Sequence, residues 1–324
     1  MIAKKTSNIL IFLLLILISL GAYTRLKDAG LGCPDWPGCY GAYIVPEKNE
    51  ISNEIYDLTF FDQSRAWIEM VHRYLAGFLG ILIIYYSYKA VKNRHSYIWP
   101  FIIITSLFFQ GYLGMLTVTK KLQPIIVTAH LVTGISLLLL IFNLKNKIEN
   151  KKTRPFVISE LLLFSLYFLQ LFLGAWVSTN YAGLSCQGFF TCNLDMPINL
   201  PEYDEIFNFQ KLWLSEDPLS YYSNNQKSFI QVIHRINAIF LGISIFYQFK
   251  KWSIFSNQKR NHLIGLVIIF LIQVFVGFLI AVLKLPISLA VTHNFLAAFL
   301  GLGIVSFINK TNTKEKEFFL YVYK

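Results

Sequence analysis

Apolar residues in this chain are gathered into runs that are long enough to cross a lipid bilayer. About 20 consecutive apolar residues span the hydrocarbon core as a helix, which pairs its own backbone polar groups there. Such runs occur at residues 8–24, 67–88, 98–119, 124–144, 156–178, 229–249, 261–283 and 286–308. The pattern therefore predicts an all-α integral membrane protein with eight transmembrane helices.

The composition agrees with a membrane protein. Hydrophobic residues make up 55% of the 324 residues and charged residues only 15%, with a mean hydropathy of +0.51. A soluble domain would carry roughly a quarter charged residues.

The net charge of +11 is explained by orientation in the membrane rather than by a nucleic-acid partner. If Lys4 and Lys5 lie inside, the inner segments hold 18 of the 29 lysines and arginines, and two long outer loops hold 13 of the 18 acidic residues. This is the positive-inside pattern. It predicts a multi-pass protein of the cell's inner (plasma) membrane with both termini cytoplasmic and no nucleic-acid partner.

The chain contains two copies of one unit. A shift of 153 residues aligns 21–39 with 174–192 without a gap, and 7 of the 19 residues match, including two cysteines in each copy. A shift of 162 aligns EMVHR at 69–73 with QVIHR at 231–235. A shift of 163 brings Gln110, Gly114, Lys121 and His130 onto Gln273, Gly277, Lys284 and His293.

The repeats predict two tandem four-helix bundles related by pseudo-two-fold symmetry, residues 1–150 and 151–324, joined by the basic stretch at 144–155. A binding site tends to form within or between such units. The first run also has the form of a signal peptide. GAYTRL is a poor cleavage site, however, and the repeat requires this segment as a helix.

Four of the six histidines are predicted at similar depth near the outer ends of their helices. These are His72 and His130 in the first half and His234 and His293 in the second. His95 and His262 fall at cytoplasmic helix ends, where polar residues are ordinary. A single buried histidine often only hydrogen-bonds to a neighbour, whereas matched pairs in both halves favour ligation.

A haem is the group that suits two imidazoles from facing bundle helices, one on each side of the iron. Zinc usually takes four ligands, often with cysteine or carboxylate. Nearby glycines would make room for a flat ring, and these include Gly77, Gly80, Gly111, Gly114, Gly134, Gly242 and Gly277. Arg73 and Arg235 follow His72 and His234 and are candidate partners for haem propionates. The alternative for each arginine is that it reaches the outer headgroups.

The two halves differ next to the first histidine of each pair. Glu69 precedes His72 by three residues and shares its helix face, while the corresponding residue in the second half is Gln231. A carboxyl group exchanges protons and an amide does not. We therefore expect chemistry in the first half and a permanently bound haem in the second. The alternative is that Glu69 is solvated at the membrane edge.

Four cysteines form two pairs spaced by six residues, Cys33 with Cys39 and Cys186 with Cys192. Both pairs lie on the outer, oxidising side, so two small disulfide loops are the simplest interpretation. Metal binding and, for Cys33 and Cys39, a redox role stay open. The C-x-x-C-H motif of covalent haem attachment is absent from the sequence.

Five motifs closely resemble the haem A synthase family, in order and over essentially the whole chain. They are TRLKDAGLGCPDWPGCYG at 24–41, EMVHRYLAG at 69–77, TAH at 128–130, IHR at 233–235 and VTHN at 291–294. The resemblance implies an eight-helix membrane oxidoreductase of two four-helix halves. It would convert haem O to haem A for the terminal oxidase by oxidising the C8 methyl to a formyl group through successive hydroxylations.

The resemblance also implies roles for individual residues. His72 and His130 would bind the iron of the substrate haem O, His234 and His293 the iron of a haem b cofactor, and Glu69 would act in the oxidation. Cys33 and Cys39 would form the first-loop disulfide of the bacterial branch. The implied partners are haem O synthase and an electron donor, and a homo-oligomer is compatible with the sequence. The loop at 193–228 and the tail after 308 match nothing in the family.

Two other functions fit a protein with two haem sites. The first is a di-haem b electron carrier, although such carriers usually place haems on both sides of the membrane, whereas all four histidines are predicted on one side. The second is a haem transporter or chaperone without catalysis. The presence of Glu69 in only one half argues against the second alternative.

Overall fold

The computed structural model describes residues 2–149, 158–186, 222–253 and 257–309, together with the single residues Cys192 and Ile206. The long elements in these ranges are the helices α1 (Ile2–Leu26), α2 (Gln63–Lys92), α3 (Ile98–Thr119), α4 (Pro124–Ile148), α5 (Ile158–Thr179), α6 (Asn224–Trp252), α7 (Asn257–Val282) and α8 (Ile287–Asn309). Two short 3-10 turns, Lys48–Glu50 and Leu58–Phe60, lie in the first loop. In this part of the chain 8 helices are long and apolar enough to cross a membrane, which confirms the predicted fold class.

Two helices begin earlier than their apolar runs because polar residues cap them. The Asp62 carboxylate accepts hydrogen bonds from the backbone N–H of Ser64 (2.9 Å) and Arg65 (3.2 Å), so α2 gains a polar first turn. These hydrogen bonds also lower the pKa of Asp62, the one from Arg65 having the largest effect. Ser223 and Gln226 cap the start of α6 reciprocally. Both helices therefore extend beyond the predicted span on the side of the long loops.

Helix packing follows the order of the chain. In the described residues α1 packs against α2 and α4, and α3 packs against the same two helices. The second half repeats this pattern, because α5 and α7 each pack against both α6 and α8. Across the middle, α1 and α4 contact α8, and α4 contacts α5. The pseudo-two-fold relation and the boundary at residue 150 stay predictions.

The turns after α3 and α7 have the same backbone conformation. Lys121 and Leu122 take the left-handed φ values of 48° and 58°, and Lys284 and Leu285 take 56° and 67°. Leu122 N–H donates to Thr117 O (2.8 Å), as Leu285 N–H donates to Ile280 O (2.8 Å). The two copies of the repeat therefore share the backbone conformation and the hydrogen bond of this turn.

The main hydrophobic core fills the end of the bundle that lies away from the long loops. It includes Leu10 and Leu14 of α1, Ile141 and Leu144 of α4, Leu163 of α5, Leu263 of α7 and Ile304 of α8. Large apolar side chains on other faces point outward, among them Ile81 (68% exposed) and Phe101 (72% exposed), as expected for helices that contact lipid. The four predicted ligand histidines lie toward the opposite end from this core.

Arg25, at the end of α1, connects the two halves near the long loops. Its guanidinium donates to the Tyr181 hydroxyl (2.9 Å) and to Ser178 O (3.2 Å), and lies 4.2 Å from the centre of the Tyr181 ring. Tyr181 also donates from its hydroxyl to Asp28 (2.9 Å). In the repeat alignment Ser178 and Tyr181 are the counterparts of Arg25 and Asp28, so corresponding positions of the two halves meet here.

Gly301 allows the buried Tyr167 ring to cross α8. A Cβ at Gly301 would fall on the Tyr167 hydroxyl and lie 2.6 Å from its Cζ. We expect Gly301→Ala to lower the free energy of unfolding by about 1–3 kcal/mol, since the packed ring has to shift. The measurement is thermal unfolding of the purified protein in detergent. Gly265→Ala is the control, because no atom lies within 4 Å of its Cβ position; equal losses in both variants would refute this packing.

Candidate functional site

The four predicted ligand histidines lie in the first turns of helices that start on the side of the long loops. His72 lies nine residues after the start of α2, and His130 and His293 each lie six residues after the start of their helices. At 1.5 Å per residue these positions are roughly 14 Å and 9 Å along the helix. His72 lies near His130, and His234 lies near His293. The structure therefore brings together the two histidines of each predicted pair.

Every one of these imidazoles packs on a glycine of the preceding helix. A Cβ at Gly21 would lie 3.0 Å from His72 Cε1, and a Cβ at Gly174 would lie 3.0 Å from His234 Cε1. Gly21 and Gly174 were not predicted as site residues, although they are aligned at the start of the matched stretch of the repeat and could have been found from that alignment.

The second histidine of each pair shows the same contact. The Cβ positions of Gly114 and Gly277 lie 3.3 Å and 3.1 Å from Cε1 of His130 and His293. Both glycines were predicted to make room at the site. No neighbouring atom lies within 4 Å of the Cβ positions of Gly77 and Gly111, so their role in making room for a ring stays a prediction.

Three ring nitrogens are buried without a hydrogen-bond partner among the described residues: Nδ1 of His72, His130 and His293. Burying a polar atom without a partner costs free energy. Within the same ranges no cluster of three or more histidine, cysteine or acidic side chains could hold a metal ion by itself. Two imidazoles are too few to hold a bare metal ion, but they suffice for an iron porphyrin, because the porphyrin supplies four ligands to the iron and leaves two positions for histidine nitrogens.

A cavity of about 930 Å³ lies between the helices of the second half. Both His234 and His293 line it, with mainly apolar neighbours, and Arg25 and Arg235 also belong to its wall. Small-molecule sites range from about 300 to 1,000 Å³, so the volume suits a ligand as large as a porphyrin. The residues present therefore fit a haem held by these two histidines.

Glu69 is buried, with only 4% of its surface exposed. Its Oε2 accepts a hydrogen bond from the Cys33 backbone N–H (3.0 Å), and its Oε1 pairs with Arg73 Nη2 (2.5 Å). The alternative that Glu69 is solvated at the membrane edge is thus wrong. The carboxylate is instead fixed between α2 and the first loop, one helical turn from His72.

Arg73 joins this carboxylate to the disulfide loop. Its Nη1 donates to the carbonyls of Asp35 (2.9 Å), Pro37 (3.3 Å) and Gly38 (2.6 Å). The guanidinium therefore holds the protein's own loop rather than reaching for lipid headgroups. Its predicted role as a propionate partner stays a prediction.

The corresponding position in the second half keeps one contact and loses the ion pair. Gln231 Oε1 accepts from the Cys186 backbone N–H (3.0 Å), as Glu69 does from Cys33. Its Nε2 donates to Gly183 O (2.8 Å). Arg235 Nη1 lies 3.8 Å from Cys192 Sγ, near the second loop. The two sites thus share a loop anchor but differ in charge.

Both cysteine pairs are disulfides, Cys33–Cys39 and Cys186–Cys192, as predicted from their spacing. The bonded sulfurs exclude the metal-binding alternative in this state. In the first loop Asp35 accepts from the backbone N–H of Tyr40 (2.6 Å) and Gly41 (2.8 Å). Burial, and secondly the negative charge of Asp35, raise the pKa of Tyr40 and of Tyr56.

Comparisons with known proteins agree with this geometry. The model of the COX15-CtaA family, described as "Cytochrome oxidase assembly protein", matches residues 5–305. A relative from Shewanella oneidensis named "Heme A synthase" is 38% identical over 310 residues, which cover 92% of this chain and 92% of the relative. Proteins of the same name from Neorickettsia sennetsu and Rickettsia bellii are 25% and 28% identical, over 92% and 87% of this chain and 95% and 90% of their own lengths.

The contacts of Arg73 predict how well the first loop is protected. Arg73→Leu leaves three loop carbonyls and Glu69 without their cationic donor, and each such hydrogen bond contributes about 1.5–3 kcal/mol. We expect the buried Cys33–Cys39 disulfide to be reduced by a soluble phosphine at least about tenfold faster, measured by thiol labelling. Arg65→Leu is the control, because Arg65 is an exposed residue of the same helix that pairs with Asp62. An unchanged rate in Arg73→Leu would contradict the assigned contacts.

Proposed function

Because the chain belongs to the COX15-CtaA family of cytochrome oxidase assembly proteins, we infer that it is a membrane enzyme of haem A biosynthesis, an oxidoreductase that converts haem O to haem A. One difference between the halves supports the assignment of the substrate site to the first half and of the cofactor site to the second. Each half holds a pair of histidines, but only the first adds a buried carboxylate, Glu69, where the second has Gln231.

In this proposal the first half, residues 1–150, binds the substrate. His72 and His130 bind the iron of haem O, which enters sideways from the lipid, and they orient the ring so that its C8 methyl faces Glu69. The proposal is supported by the proximity of the two imidazoles and by their unpartnered Nδ1 atoms. Gly21 and Gly114 leave the space in which both rings lie.

Glu69 is the proposed catalytic residue. Its carboxylate accepts a proton released as the methyl carbon is oxidised, or stabilises positive charge at that carbon. Cys33 N–H and Arg73 fix the position of both carboxylate oxygens, which suits a group that has to act at one atom of a bound ring.

In the second half, residues 151–324, the proposed cofactor is haem b, bound through its iron by His234 and His293. The cavity between these histidines supports this assignment, and Arg235 in its wall is a candidate partner for a propionate. When bound, such a haem supplies an iron that cycles between the ferrous and ferric states. The protein's part is to exclude water with apolar walls and to keep both imidazoles in place.

The eight apolar helices make this a multi-pass membrane protein. We propose that it lies in the plasma membrane with both termini cytoplasmic and both haem sites near the outer face. Lysines in the last turns of α2 and α4, at the ends opposite the long loops, support this orientation by the positive-inside pattern; they are Lys89, Lys92, Lys145 and Lys147. Haem O synthase and an electron donor are the proposed partners.

Pigment analysis distinguishes synthesis from the alternatives. The protein is purified from cells that make haem O, and its haems are extracted and separated. Haem A or its hydroxylated intermediate identifies a synthase. Haem b alone at two sites identifies the di-haem carrier, and unaltered haem O identifies a transporter or chaperone.

Glu69→Gln tests the catalytic role. Gln231 shows that an amide at this position still accepts the hydrogen bond from the loop cysteine, so the variant is expected to fold and to keep both haems. Loss of the proton acceptor should lower haem A formation by about 100-fold or more. The control is Glu160→Gln, which removes the other fully buried carboxylate of the described residues, far from the histidines. Normal haem A formation by Glu69→Gln would show that Glu69 has no catalytic role.

His234→Ala tests whether the two sites are separate. The variant should lose haem b while haem O or haem A stays bound in the first half, measured by extracting and quantifying each pigment. His95→Ala, at the exposed far end of α2, should retain both pigments. Loss of both haems from His234→Ala would show that the four histidines form one shared site.

A further inference from the structure

We propose that Gln170, held by Asn237, is a positioning residue for the His234 imidazole and makes the second site the one that retains its haem. The inference rests on the proposed function, which assigns haem b to His234 and His293. It goes further because it names the side chains that keep the cofactor haem bound, whereas the substrate haem is released as product.

The geometry is a chain of side chains between α5 and α6. Gln170 Nε2 lies 3.2 Å from His234 Nδ1 and 3.4 Å from its Nε2. On the other side, Gln170 Oε1 accepts from Asn237 Nδ2 (2.7 Å), which also donates to the backbone oxygen of Leu166 (3.1 Å). The backbone of α5 thus fixes Asn237, Asn237 fixes Gln170, and Gln170 contacts the imidazole.

The first half lacks this arrangement. The repeat alignment places Leu17 at the position of Gln170 and Leu75 at the position of Asn237. Both leucines pack against the hydrophobic core. Nδ1 of His72, the counterpart of His234, has no hydrogen-bond partner among the described residues. The same ring position is therefore held by polar contacts in one half and by packing alone in the other.

The other glutamine at the sites does not create this difference. Gln110 donates to the backbone oxygen of His130 (3.0 Å) and accepts from Thr133 (2.5 Å), and its Nε2 lies 3.4 Å from His130 Nε2. Its counterpart in the second half is Gln273, so a glutamine occurs at this position in both halves. Among the described residues, the Gln170–Asn237 pair is the polar contact that the His234 ring has and the His72 ring lacks.

The chemistry of a metal-bound imidazole explains why such a contact matters. Groups that contact the part of the ring that does not bind iron fix the ring orientation. Because Gln170 Oε1 accepts from Asn237, its NH₂ is the end that faces the His234 ring, at similar distances from both nitrogens, and it limits the rotation of that ring. A cofactor that stays bound benefits from this restraint, whereas a substrate that has to leave as product does not.

The test compares haem loss from the two sites in the same sample. The full-length protein, loaded in cells that make haem O, is mixed in detergent with excess apomyoglobin, and the remaining haem b and haem O or haem A are quantified separately over time. Gln170→Leu, which copies Leu17, should release haem b about 10- to 100-fold faster. Haem O and haem A in the first half are the internal standard and should leave at the original rate.

Two further measurements separate positioning from general destabilisation. The electron paramagnetic resonance signal of the low-spin ferric haem b should shift or broaden in Gln170→Leu, as expected for a freer imidazole. The reciprocal double variant Leu17→Gln, Leu75→Asn should slow the release of haem from the first site. An unstable protein would not gain retention in this way.

Each outcome decides the inference. If His234→Ala lacks haem b but Gln170→Leu releases it at the original rate with an unchanged signal, Gln170 has no positioning role and the proposed function stands. If His234→Ala keeps its haem b, the ligand assignment fails and the inference fails with it. Faster loss of haem b alone, with the altered signal, supports the inference.

Discussion

A polar side chain within a membrane span has to find its partner inside the protein, because lipid offers none. Glu69 meets this constraint through Cys33 and Arg73, and Gln231 meets it through Cys186 and Gly183. These contacts tie each long loop to a helix that carries a predicted ligand histidine. The hydrogen bonds therefore fix the loops next to these histidines.

The two halves show how one scaffold supports two kinds of site. Glycines beneath the four imidazoles are common to both, as is the loop anchor. What differs is a small number of polar residues: the Glu69 carboxylate in the first half, and the Gln170–Asn237 pair in the second. In the proposed function the first change supplies reactivity and the second supplies retention.

Much of the fold followed from the sequence, because membrane spans depend on local composition. The predicted run at 286–308 differs from α8 by one residue at each end, whereas α2 extends from 67 back to Gln63 since Asp62 caps a polar turn that hydropathy does not detect. The histidine pairs and Glu69 were also found from the sequence, through the repeat. The partners of Arg73 were not, because loop carbonyls have no sequence signature. Gln170 was missed for a related reason, since its importance depends on α5 packing against α6.

Arg25 limits how independently the two halves can change. It belongs to the first half, yet it lines the cavity that contains His234 and His293 and bonds to Tyr181 and Ser178 across the middle of the molecule. A second half produced alone, or joined to a foreign first half, would have a gap in the wall of its own cavity. The repeat therefore does not make the halves exchangeable modules, because a substitution at the end of α1 also changes the wall of the cavity in the second half.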